Sequence, residues 1–101
     1  MDRLWVRFLP EIRERVAILE AAAGAVAAQN LTLSDQEAAK AAAHKLAGVL
    51  GTFNLARGTD LAREIEAMYS RESFPGLDSA KKLASAAADL RAMIETRRSN
   101  N

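Results

Sequence analysis

With Leu4 beside the first of them, the apolar residues Trp5, Phe8, Ile12, Val16, Leu19 and Val26 recur at intervals of three, four and seven. That spacing returns each side chain to one face of a helix with 3.6 residues per turn, and no strand presents such a stripe. A stripe this long has to be covered by other helices, which confines the chain to helix-on-helix architectures. Pro10 interrupts the run. A ring without an N–H that crowds the preceding turn predicts a short segment over Asp2 to Leu9, followed by a long helix from Pro10 to Gln29. Asn30 is expected to end that helix, and "NLTL" to connect it onward.

Three further helices are expected. "SDQE", Ser34 to Glu37, fits a capping box, which starts a second helix near Asp35 and carries it to Gly51 or Phe53. A third runs from about Leu55, capped by Asn54 or Thr59, to about Ser70, with Leu61, Ile65, Met68 and Tyr69 inward. "SFPG", Ser73 to Gly76, reads as a turn. The last helix spans about Asp78 to Arg97 and buries Leu83, Ala87, Leu90 and Ile94. The fold class is therefore all-α: an antiparallel four-helix bundle with a short N-terminal helical segment. Residues 1–97 form the single domain, and 98–101 a disordered tail.

Composition removes several function classes. Lys and Arg number 14 against 13 Asp and Glu, so no net field draws the chain to nucleic acid. Cysteine is absent, which excludes thiolate chemistry and disulfides. One histidine without cysteine makes a self-contained transition-metal site a poor expectation. No apolar run approaches the roughly 20 residues that span a bilayer. A cytoplasmic monomer is the expectation.

The one histidine lies in "AAAHKLAGVLG", Ala41 to Gly51. On a helical wheel Ala38, Ala39, Ala42, Leu46, Val49, Leu50 and Phe53 fall opposite His44 and form the core face. Glu37, Lys40, Ala41, Ala47, Gly48 and Gly51 share the side of His44, which predicts an outward imidazole. Glycine in a helix interior costs about 1 kcal/mol against alanine. Gly48 and Gly51 stand one and two turns beyond His44, where a bare backbone admits close approach by another molecule. Imidazole is in large part uncharged and nucleophilic near neutral pH. A nucleophile beside a bare surface suits group transfer in which the partner brings the catalytic machinery.

The segment "AAHKLAGVLGTFNLARGTDLAREIE", Ala42 to Glu66, resembles the signature of histidine-containing phosphotransfer domains of two-component signalling. The matching residues are Ala43-His44, Leu46, Gly48, Phe53, Leu55, Leu61 and Ile65-Glu66. In two places the chain departs from that pattern. Ala47 stands where many members carry a lysine, leaving Lys40 and Lys45 as the two candidates for phosphate electrostatics. Asn54 replaces a frequent glycine, and asparagine tolerates the same positive φ.

The resemblance implies a phosphorelay intermediate. His44 accepts a phosphoryl group from a receiver-domain aspartate, with Mg²⁺ on the receiver, and passes it to another receiver. The chain then needs no cofactor of its own, and acts as a phosphocarrier and not as an enzyme. Its partners are response-regulator receiver domains, with a hybrid histidine kinase as a further candidate. The expected docking rim is Glu37, Ala41, Ala47, Gly48, Gly51 and Thr52, joined by Arg57 and Arg63 of the third helix. The alternative is a phosphorylation-incompetent helical adaptor that docks receivers.

Overall fold

Helix α1 runs unbroken from Asp2–Ala27, where the sequence predicts a break at Pro10. Trp5, Leu9, Ile12, Val16 and Leu19 are all buried, so the apolar stripe keeps its phase across the proline. One continuous helix buries both halves on the same face. The ring itself lies on the exposed side, where the carbonyl that loses its donor is open to water. The computed structural model describes residues 2–70 and 75–99; Ser73 and Phe74 of the expected turn lie outside the described residues. After α1 come α2 (Leu33–Thr52), α3 (Ala56–Tyr69) and α4 (Leu77–Ser99), which extends two residues past position 97.

The helix ends are set by local chemistry, and two differ from expectation. The capping box of α2 is Thr32 with Asp35, two residues upstream of Ser34 and Glu37. Thr32 Oγ1 accepts from the Asp35 N–H at 3.0 Å, and the Thr32 N–H donates to Asp35 Oδ2 at 3.1 Å. The sequence holds both patterns in overlap, and the upstream one wins because it lengthens the helix and its bonded backbone. Helix α3 starts on Leu55 with no side-chain cap. Asn54 instead terminates α2 at φ 62°, with Leu55 N–H bonded to Leu50 O and Asn54 N–H to Gly51 O. That is a Schellman closure with asparagine in the left-handed position. Gln29 closes α1 in the same way at φ 59°.

Each helix packs on its chain neighbours, and α4 returns to α1, so the four form a ring around one core. Ile12, Val16 and Leu19 of α1 meet Leu46 and Leu50 of α2, Ile65 of α3, and Leu83, Leu90 and Ile94 of α4 in that core. Two bidentate pairs tie α1 to α4: Arg13 to Glu95, at 2.8 Å for both bonds, and Arg91 to Glu20 at 2.6 and 3.2 Å. At one end Trp5 is fully buried against Phe53, and the Arg97 guanidinium lies 4.4 Å over its ring. Gln36, buried near the other end, donates from Nε2 to the Tyr69 carbonyl at 2.8 Å, satisfying a group that the end of α3 leaves open.

Two positions on α2 depart from the wheel. Ala38, expected in the core, is exposed, and Ala47, expected on the solvent-facing rim, is buried. Helix α3 leans over the Ala47 side of α2, whereas Ala38 borders an open depression beside Ala21, Ala22 and Ala25 of α1. Thr59 of α3 donates its hydroxyl to the Ala47 carbonyl at 3.4 Å.

Candidate functional site

His44 stands outward from the middle of α2, its side chain 74% exposed. Ala42, Ala43 and Leu46 on the opposite side are buried, so packing of that face orients the ring toward solvent. Its Nδ1 lies 2.9 Å from Glu66 Oε2, on α3. A carboxylate only accepts, so this contact places a proton on Nδ1, and in the neutral ring the lone pair then belongs to Nε2. Glu66 is itself held partly under the surface, with a side-chain exposure of 27%.

Glu37, Lys40, Ala41, His44, Lys45 and Glu66 line one shallow depression of about 470 Å³. Five of the six belong to α2, and the sixth is the carboxylate from α3. The helix spacing explains the grouping: Glu37, Lys40, Ala41 and His44 are separated by three, one and three residues, which stacks them along one face. Lys40 is exposed one turn before the histidine, and Lys45 is exposed beside it.

Beyond His44 the surface is bare. A Cβ built on Gly48 would meet no atom within 4 Å, so nothing among the described residues requires a glycine there. At Gly51 a Cβ would meet Thr59 Oγ1 at 3.6 Å, an ordinary contact. Thr52 is exposed and turns its hydroxyl back to the Gly48 carbonyl at 3.2 Å. Of the expected rim, Glu37, Ala41, Gly48, Gly51 and Thr52 are exposed. Ala47 is the correction, being covered by α3 and presenting little to a visitor. Arg57 is a second, since it faces α4 and lies 3.6 Å from Asp89.

The residue most missed is Glu66. Its signal was present in the Ile65-Glu66 pair that closes the signature, with Ile65 buried and Glu66 one position round the helix toward α2. Only the α2–α3 register reveals that this carboxylate reaches the imidazole. Among the described residues no group of three or more His, Cys, Asp or Glu gathers to hold a metal. Nor is any helix among them long and apolar enough to cross a membrane.

Comparison with curated proteins and with solved structures returns no match. The family model of the Hpt domain, by contrast, matches residues 3–100, essentially the whole of the helical bundle and its outward histidine. The chain belongs to the Hpt domain family.

Proposed function

We propose that this protein is a phosphorelay intermediate in which His44 receives a phosphoryl group from a receiver-domain aspartate and hands it to another receiver. The observation that carries the reading is an imidazole with its side chain 74% exposed and its Nδ1 held by Glu66, which leaves Nε2 as the nucleophile. In the forward step the Nε2 lone pair forms a bond to phosphorus as the bond from phosphorus to the aspartyl oxygen breaks. The electron pair of that bond leaves with the carboxylate. The Nδ1 proton stays beside Glu66, offsetting the positive charge that the ring acquires. The reverse attack, by a second receiver's carboxylate, restores the free imidazole.

Such a transfer depends on positioning and on neutralising charge around phosphorus. The receiver brings Mg²⁺ and its carboxylates, and this chain contributes the nucleophile, a docking face and nearby cations. Lys40 and Lys45, which share the depression with His44, are the phosphate-facing lysines in this reading. The bare strip over Gly48 and Gly51 is the part of the surface on which the receiver seats.

The test is phosphoryl transfer from a panel of phosphorylated receiver domains. Wild-type protein should acquire acid-labile phosphate, and His44→Gln should acquire none while keeping its helical content. Equal labelling of the variant refutes the assignment. Receivers that bind without transferring to wild type identify the chain as a docking adaptor instead.

A further inference from the structure

Around His44 the formal charges cancel. Lys40 and Lys45 share the depression with Glu37 and Glu66, two cations against two carboxylates, before any phosphoryl group arrives. A dianionic group on Nε2 therefore calls for a cation from outside that set.

The register of α3 on α2 identifies one. His44 Nδ1 meets Glu66, and Thr59 Oγ1 lies 3.6 Å from where a Cβ on Gly51 would stand; seven residues forward on α2 match seven back on α3, which fixes how the two antiparallel helices are aligned. Three residues forward from His44 is Ala47, and three residues back from Glu66 is Arg63; both are the same step of about 4.5 Å along the axis. Arg63 thus stands level with Ala47. It shares a flank of α3 with Glu66, three residues on, and with Thr59, four residues back, and both of these touch α2. At this height α2 presents only the methyl of Ala47 and the bare backbone of Gly48. Arg63 is exposed and forms no ion pair among the described residues, whereas on the same helix Arg57 pairs with Asp89 and Glu64 with Lys82.

We propose that Arg63 is a phosphoryl-binding side chain of the His44 site, its guanidinium lying along the α2–α3 groove and donating to the oxygens of the group on Nε2. A guanidinium offers paired donors that match two phosphoryl oxygens, which an ammonium cannot do. The inference rests on His44 being the phosphoacceptor, and the experiment separates the two.

Potassium phosphoramidate serves as donor, so no receiver is needed. Nε2 bonds to phosphorus as the bond from phosphorus to the donor's ammonium nitrogen breaks; ammonia departs, and the ring proton remains on Nδ1 beside Glu66. The rate of mass gain at His44 is followed for wild type, Arg63→Gln, Arg63→Lys and the control Arg57→Gln, which removes the same charge from the far side of α3. Arg63→Gln should slow labelling about tenfold and flatten its dependence on salt, with Arg63→Lys recovering part of the rate. Arg57→Gln should label as wild type does. If Arg63→Gln and Arg57→Gln behave alike, the role of Arg63 is overturned while the phosphoacceptor stands. If wild type itself gains no phosphoryl group at His44, the carrier reading falls and takes the proposal with it.

Discussion

Glu66 Oε2 and His44 Nδ1 meet at 2.9 Å, although the two residues are 22 apart in sequence and lie on different helices. The nucleophile and the group that orients it are thus joined only when α2 and α3 are docked. Glu66→Gln keeps an acceptor oxygen but loses the charge, and Glu66→Ala loses both. Nitrogen-15 spectra of the imidazole should show the Nδ1–H tautomer dominant in wild type and in Glu66→Gln, and a mixture in Glu66→Ala. Phosphoryl uptake should fall in the order wild type, Glu66→Gln, Glu66→Ala, with the alanine variant slowed roughly tenfold to a hundredfold.

Gly48 separates folding from docking. Its missing side chain leaves open space, so Gly48→Ala should raise stability by about 0.5–1 kcal/mol in denaturant titration. Gly48→Gln should leave the helical content intact and weaken receiver binding. A glutamine variant that binds as tightly as wild type removes close approach from the account.

The Tyr69 phenol gives a signed pH dependence. It is buried, its hydroxyl has no hydrogen-bond partner among the described residues, and burial pushes its pKa up to about 12. The unfolded phenol ionises near 10, so its contribution to stability is complete below about pH 10 and is lost as pH rises toward 12. Tyr69→Phe removes the effect. Thermal melts should show the wild type falling more steeply than the variant across that interval, and the variant at least as stable at pH 7.

Gln29 holds a left-handed φ of 59° at the end of α1, a conformation that costs a side chain of this kind about 1 kcal/mol. Gln29→Gly should recover much of that in denaturant titration. Asn54, in the same geometry at φ 62°, should gain less from the same change because asparagine tolerates it better.

The helices were legible because Leu83, Ala87, Leu90 and Ile94, like the stripe of α1, mark faces by spacing alone. The outward direction of His44 followed from the same geometry. What spacing cannot supply is how far a neighbouring helix leans. That lean buries Ala47, an open depression against α1 leaves Ala38 exposed, and the packing of α3 on α4 brings Arg57 to Asp89. Pro10 misled for a related reason: a local rule for breaking helices yielded to a core that rewards one continuous stripe. The choice of Thr32 over Ser34 as cap turned on two extra residues of helix, which a motif does not weigh. Glu66 needed the α2–α3 register, a quantity spread over both helices and written in no single segment.

Trp5 is the chain's single tryptophan, sealed beneath Arg97 and set edge-on to Phe53 with ring centres 5.0 Å apart. Phe53 follows Gly48 by only five residues, about 7 Å along the helix axis. The protein therefore carries its own optical gauge. Native indole emission should register any loosening of the end where α1, α2 and α4 converge, and an arriving partner can be timed without attaching a dye.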